Sequence, residues 1–422
     1  MNTSPSSQPS SSSVPTDDLL AAADRCVKCG LCLPYCPTYN KTGNENESPR
    51  GCIALVQAWA SHSLPASPRL LTHIDNCLLC RACERVCPAS VPYGRLIDQF
   101  RLQASPAVRT SIALKLLRAM VRSPALIRAS QRALALYRRI GAGLGKGKRL
   151  QPLQRLLPAA GRPRRKTNKL YRTTRAVKGD VGLFKGCLGE LLDPETLHAA
   201  IAVLHHAGYN VHLPEGQTCC GALDLHSGEL QQARKLARTN IRTFGALQLT
   251  AIISIASGCG SVLQEYEDAG FSGKIVDISQ FLVQNAALAN SEIAPLPARI
   301  VLHSPCSLKN VMRQESGAQQ LLEMIPEVRL MPLPEDCRCC GSAGSYMLEH
   351  PEMAQALLDD LLEAVCVREP DFLVTANIGC ALHIAAAVRE RGLSMQVVHP
   401  VTLIYRQLRH LEPGGFQAGI SG

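Results

Sequence analysis

The residues best able to do chemistry in this chain are its cysteines, 19 in 422 residues and gathered in short clusters. Cys26, Cys29, Cys32 and Cys36, followed by Pro37, spell C-x2-C-x2-C-x3-C-P; Cys77, Cys80, Cys83 and Cys87, followed by Pro88, spell it again. That spacing belongs to chains carrying two [4Fe–4S] clusters, in which three closely spaced thiolates wrap one cluster and the fourth serves the other. The expected quartets are therefore Cys26, Cys29, Cys32 and Cys87 for one cluster, and Cys77, Cys80, Cys83 and Cys36 for the other. Structural zinc, which also uses C-x2-C pairs, is the competing chemistry. Zinc gives no reason for the 2-2-3 rhythm or for the two prolines. Electron transfer is the default function.

A second set of cysteines occupies the other half. Cys187, the run Cys219-Cys220-Gly221, and Cys259 form one copy; Cys306, the run Cys339-Cys340-Gly341, and Cys380 form another. Cys306 follows Cys187 by 119 residues, Cys339 follows Cys219 by 120, and Cys380 follows Cys259 by 121. Three anchors at nearly one period mark an internal duplication. Glycine after the paired cysteines lets the backbone approach a cluster, and Gly258 and Gly379 before the last cysteines suit the same need. Backbone N–H groups there could donate to sulfur and tune a potential. Reduced packing cysteines would not explain the matched spacing. Metal or cluster ligation is expected in the second copy from Cys306, Cys339, Cys340 and Cys380, with His383 or His303 to complete it. The first copy offers Cys187, Cys219, Cys220 and Cys259. Taken alone, either histidine is more ordinarily a packing residue; His226 is a weaker candidate, and Cys52, Cys337 and Cys366 read as structural.

Those sites need elements to hold them. Between the ferredoxin motifs, Arg50–His62 and Arg69–Asn76 read as helices, as does Asp17–Asp24 before them. A helical spacer favours an α-helical two-cluster domain. Each later copy has one rhythm: a strand into the first cysteine (181–184; 299–303), a helix (194–207; 316–324), and a strand leading to the Cys-Cys-Gly turn. A longer helix (228–244; 351–365) then precedes a buried strand delivering the last cysteine (251–256; 372–376). Such alternation implies a parallel sheet per copy with ligands at the strand ends. The fold class is thus mixed: an α-helical ferredoxin domain at 17–100, then duplicated α/β units at 179–292 and 293–412.

Composition bounds the rest. Hydrophobic content of 46% and charged content of 19% describe an ordinary folded chain with room for several cores. Clustered cysteines argue for metal rather than disulfides, and so for a reducing, cytoplasmic setting. Residues 1–16 are Ser/Pro-rich, unlike a signal peptide, and read as a disordered tail. No apolar run approaches the roughly 20 residues of a spanning helix. From Arg101 through Lys178 there are 21 Lys plus Arg and no Asp or Glu, against a net charge of +11 for the whole chain. Within this basic segment, 101–178, Lys115, Arg118 and Arg122 share a helical face, while Ile112, Leu116 and Met120 lie on others. After Pro124 a second helix is expected over Ala125–Ile140, and Gly141–Lys178 reads as a linker. Three readings compete for the basic segment: a solvated linker, docking to an anionic bilayer or acidic subunit, and nucleic acid. The last is weakest, with no recognised motif and few aromatics.

The whole pattern resembles the iron–sulfur subunit of glycolate oxidase, and more distantly subunits of lactate-utilisation, anaerobic glycerol-3-phosphate dehydrogenase and heterodisulfide reductase systems. The most specific stretches are Cys219-Cys220-Gly221-Ala222-Leu223-Asp224, Ala256-Ser257-Gly258-Cys259-Gly260, Cys339-Cys340-Gly341-Ser342-Ala343-Gly344 and Thr375-Ala376-Asn377-Ile378-Gly379-Cys380. The wider family's repeat ends in C-x2-C; here Val262 and His383 stand in the final positions. The resemblance implies separate flavin subunits that oxidise glycolate to glyoxylate. This chain would relay their electrons toward membrane quinone, from a peripheral position at the inner membrane, with no nucleic acid involved. Two [4Fe–4S] clusters are implied, and a further cluster or zinc in the repeats. A disulfide- or quinone-reducing centre, or service to a lactate or glycerol-3-phosphate dehydrogenase, are the alternatives. No G-x-G-x-x-G or P-loop follows a strand, so the chain is not expected to oxidise substrate alone.

Overall fold

A computed structural model describes residues 16–104, 112–123, 125–127, 129, 133, 155, 167–334 and 339–409. The expected tail, most of the Ala125–Ile140 helix, Gly141–Lys148, most of the linker and Cys337 lie outside the described residues. Two compact units form: one from the described residues within 1–77, 83–109 and 226–228, the other from those within 78–82, 110–225 and 229–422.

Helices build the first unit. Ser48 and Ser67 each stand before a proline and cap a helix, Pro49–Ala60 and Pro68–Asp75; their hydroxyls accept from Gly51 N (3.0 Å) and Leu70 N (3.3 Å). Thr16–Asp24 and Tyr93–Ala104 pack on Pro49–Ala60. Leu19, Ile53, Val56, Leu96, Ile97 and Phe100 are buried there. Trp59 sets its edge on Phe100 at 5.0 Å. The helical spacer is thus the core that carries the cysteine loops.

The second unit holds both repeats. One sheet runs β1 (Leu170–Tyr171), β3 (Tyr209–His212), β2 (Gly179–Phe184), β4 (Ala251–Ser254), β5 (Ile275–Asp277); the other runs β7 (Arg329–Met331), β6 (Arg299–His303), β8 (Phe372–Thr375), β9 (Gln396–Val398). All neighbours are parallel except β1, which pairs antiparallel with β3. The end of the expected linker is therefore a sheet strand. Central strands β2 and β4 pair with Phe184 opposite Ser254; β6 and β8 pair with His303 opposite Thr375. These rungs lie just before the first and last cysteines of each copy. Leu197, Ile201 and Ile253 share one apolar cluster with Ile300, Leu321 and Val374, so the repeats share a core. Neither buries its own faces alone.

The basic segment departs from expectation where it is described. Helix Ile112–Arg122 turns Arg118 inward to 3% exposure, while Leu116 stands 66% exposed. Burial pulls the Arg118 guanidinium below its ordinary value, partly offset by Glu349, Asp224 and Glu229. Arg122 forms an ion pair with buried Asp224, in the short helix Ala222–Leu225 that follows Cys219-Cys220-Gly221. This helix is held by carboxylates of its own chain and is not a solvated linker.

Candidate metal centres

Each ferredoxin loop reaches its shape through left-handed residues at matching places. Lys28 (φ 55°) and Gly30 (φ 81°) flank Cys29; Leu79 (φ 51°) and Arg81 (φ 56°) flank Cys80. Three non-glycine residues accept a conformation that costs them energy, in the manner of a loop over-determined by its ligands. Alternating backbone handedness of this kind turns N–H groups toward one point, which suits an anionic cluster. A cavity of the first unit is lined by Cys26, Cys29, Cys32 and Cys87, with Cys83, Arg50 and Pro88 also at its wall. The three thiols of one motif thus meet the fourth thiol of the other, and Cys36 does not line the cavity. The donor set and the space fit a four-thiolate cluster.

Cys36, Cys77 and Cys83 sit in the same unit, and Cys77 is close enough to oppose the ionisation of the other two. Burial raises the Cys83 thiol well above its ordinary value, and the neighbouring thiolates of Cys77 and Cys36 add to this. Burial likewise raises Cys36, against a lowering bond from Thr38, whose Oγ1 lies 3.3 Å from its Sγ. Such thiols fit a metal that takes up the negative charge. Cys80 lies on the segment Leu78–Ala82 of the second unit, and its part in the quartet rests on sequence spacing. There it packs, with Cys339, against Leu78, Tyr346, Ala354 and Leu357, and Asn310 Nδ2 donates to its carbonyl at 2.8 Å. Sequence reasoning missed Tyr93, whose Oη donates to Cys77 Sγ at 3.4 Å. It also missed Arg50, whose backbone N–H reaches Cys32 while its Nη1 donates to Lys28 O at 3.4 Å. Neither lies in a recognisable motif. Cys52 is buried, as expected, with its thiol toward Asn46 O at 3.5 Å.

In the first repeat all four cysteines converge. Cys187 and Cys220 both bond to Cys219, holding its thiol well below the ordinary value while theirs rise well above it. Cys220 also bonds to Cys259, so the thiols form a chain 187–219–220–259. Gly221, at φ 84°, turns its N–H back to Cys219 Sγ at 3.5 Å. Asn240 Nδ2 donates to Cys219 O (3.1 Å) and Tyr266 Oη to Cys220 O (2.8 Å), fixing the turn.

The second repeat repeats this with changes. Cys340 and Cys380 sulfurs lie 2.7 Å apart, and Gly341 N donates to Cys339 Sγ at 3.5 Å. Cys306 is driven up by burial and by Cys339 and Cys340 beside it. Cys259 and Cys380 each take the third position of a helix (Ser257–Gln264; Ile378–Glu390), the end that favours negative charge. Asn377 ties the two sites: its Nδ2 donates to Cys380 Sγ at 3.5 Å and its Oδ1 accepts from Gly258 N at 3.3 Å. His383 does not turn Nδ1 to the sulfurs; that nitrogen lies 2.8 Å from Cys340 O. Burial lowers its basicity, so a neutral ring donates there and steadies the turn. His303 is the histidine grouped with Cys340 and Cys380, all three ligand atoms falling within 4.8 Å of one another. His226 pairs instead with Asp98 at 3.1 Å.

Fold and cysteines together define an iron–sulfur protein with a two-cluster ferredoxin domain and paired cysteine-rich repeats. Residues 22–91 match the 4Fe-4S dicluster domain family, and residues 181–264 and 300–385 each match the cysteine-rich domain family. The probable glycolate oxidase iron-sulfur subunit of Bacillus subtilis is 32% identical over 91% of this chain and 94% of its own length. The glycolate oxidase iron-sulfur subunit of Escherichia coli is 32% identical over 88% and 91%. Lactate utilization protein A of Geobacillus thermodenitrificans is 26% identical over 52% of this chain and 95% of that one. The chain belongs to the family of glycolate oxidase iron–sulfur subunits. Among the described residues, no helix is long and apolar enough to cross a membrane.

Proposed function

We propose that this chain is the electron-relay subunit of a flavin-dependent glycolate dehydrogenase, passing electrons from flavin-bearing subunits toward a quinone-type acceptor. The observation that carries the reading is the cavity where Cys26, Cys29 and Cys32 meet Cys87. Two [4Fe–4S] clusters held there and by Cys36, Cys77, Cys80 and Cys83 supply one-electron steps. Alcohol oxidation releases two electrons, so a flavin on another subunit divides the pair. The protein's share is electrostatic: Tyr93 and the Arg50 amide donate toward thiolates, stabilising the more negative, reduced state. The relatives' names support glycolate as the substrate of the assembly. Packing of Cys80 and Cys339 on the same side chains supports electrons continuing into the second repeat. A disulfide-reducing role for the repeats gains nothing from the structure, because Cys219, Cys220, Cys340 and Cys380 are buried from any substrate.

The test is anaerobic purification with metal analysis, then reconstitution with the co-purifying flavoprotein and assay against glycolate, lactate and glycerol 3-phosphate. About eight irons in the ferredoxin region and glycolate-dependent reduction of its clusters are expected. Zinc without iron in that region, or cluster reduction by lactate alone, would sink the reading.

A further inference from the structure

We propose that His303 is a metal ligand, so that the second repeat holds a mixed nitrogen–sulfur centre where the first holds only thiolates. The inference rests on reading the repeats as metal centres, and assigns the second its ligand set: His303 Nε2 with Cys340 and Cys380. A tetrahedral ion has one place left, which falls to Cys306, beside Cys339 and Cys340.

His303 ends strand β6 at 1% exposure, and burying an imaginable apolar substitute there would avoid the desolvation of a polar ring. The first repeat makes that substitution: its equivalent rung is Phe184 opposite Ser254, against His303 opposite Thr375. The imidazole is oriented from behind. Its Nδ1 lies 2.9 Å from Thr375 Oγ1, and with Nδ1–H donated there, Nε2 carries the lone pair. Metal-bound histidines are steadied through the second ring nitrogen in this way. Spacing indicates the kind of centre. Ligand atoms on one tetrahedral ion, with metal–sulfur bonds of about 2.3 Å and metal–nitrogen bonds of about 2.0–2.1 Å, stand roughly 3.5–3.8 Å apart. The histidine nitrogen and the two sulfurs lie within 4.8 Å of one another, and the sulfurs, 2.7 Å apart as thiols, need part by only about 1 Å to share one ion. Thiolates on a cubane each bind a different iron and are spread more widely. The ligand set suits a single divalent ion of borderline softness, of the zinc class.

The experiment loads the full-length, cluster-reconstituted chain with zinc(II), removes loosely held metal by dialysis, and records zinc content and the zinc-edge X-ray absorption spectrum. Wild type is expected to show sulfur ligands plus one nitrogen at about 2.0–2.1 Å. His303→Phe, which copies the first repeat, should lose the nitrogen and weaken zinc retention in the second repeat about tenfold or more. His303→Cys should restore retention with an all-sulfur spectrum, and carries the test if the phenylalanine variant does not fold. Unchanged spectra and retention in folded variants overturn the assignment of His303. Zinc held by wild type on sulfur alone does the same while leaving the repeats as metal centres. No metal in either repeat removes the underlying reading as well. Iron content of the ferredoxin region, read separately, tests the relay proposal independently.

Discussion

The two Cys-Cys-Gly repeats have the same path, four cysteines apiece and the same glycine N–H turned back to sulfur, yet they differ at residues beside those cysteines. Phe184 and Ser254 become His303 and Thr375 on the same rung. Ala256, which caps its helix without a side-chain bond, becomes Asn377, which donates to Cys380. Only the first repeat carries the Arg122–Asp224 pair near its paired cysteines; Gly344 stands at the position equivalent to Asp224. An ion pair stands beside the first set of cysteines, and polar side chains from strand ends and a helix cap stand beside the second. Duplication thus preserves a backbone, while the chemistry diverges through residues one turn or one rung from the ligands.

Substitutions at matched positions sharpen this contrast. The largest effect is expected from the turn glycines. A Cβ on Gly341 (φ 70°) would meet Ala354 O at 2.3 Å, whereas on Gly221 (φ 84°) the nearest atom, Ala233 Cα, is at 3.3 Å. Gly341→Ala should cost about 3 kcal/mol or more and empty its site, and Gly221→Ala about 1–2 kcal/mol. Thermal unfolding of the two variants would break the comparison if their order reversed. Next, Asp224→Ala removes a carboxylate buried between Arg118 and Arg122, and should cost about 3 kcal/mol. Its metal loss should fall on the first repeat alone.

The equivalent helix caps Asp277 and His399 offer a contrast of sign. Burial raises the Asp277 carboxyl to about 6, so the fold favours its neutral form, and its stability contribution is lost as pH rises toward 6. Burial lowers His399 to about 3, so the fold again favours the neutral form, but here stability is lost as pH falls below the ordinary histidine value. Asp277→Asn should therefore stabilise above pH 6 by up to about 3 kcal/mol, and merge with wild type near pH 4. His399→Asn, which can still accept from Val401 N, should stabilise only below about pH 6. Melting curves that moved in parallel across pH would refute both. The smallest effect is expected from Asn377→Ala, about 1 kcal/mol, since it loses two long hydrogen bonds. Its signature should be spectroscopic, in both repeats at once, because it bridges them.

Much of this was legible in the chain. Helices Pro49–Ala60 and Pro351–Cys366 fall within a residue or two of their expected limits, since Ser48-Pro49 and Pro351 punctuate them locally. The sheets were legible for the same reason: short buried apolar strands recur with helices between. The edge strand Leu170–Tyr171 was not, because a two-residue strand next to a basic stretch has no period to read. The basic helix stayed open between a solvated linker and a docking surface, because its own sequence names no partner. Carboxylates distant in sequence, Asp224, Glu229 and Glu349, meet Arg118 and Arg122. Among site residues, Tyr93 and Asn377 had no spacing rule to reveal them, and His303 and His383 could not be told apart.

That last pair marks the boundary. Spacing of cysteines along the chain revealed the iron–sulfur character of the first domain and the duplication that follows it, because thiolates two or three residues apart are held together by covalent geometry in any fold. Which histidine faces sulfur depends on strand register and helix phase. His303 faces Thr375 because β6 pairs with β8, and His383 reaches Cys340 O from a helix that follows β8. Contacts made across 40 to 70 residues are set by packing of the whole core, and only the tertiary structure decides them.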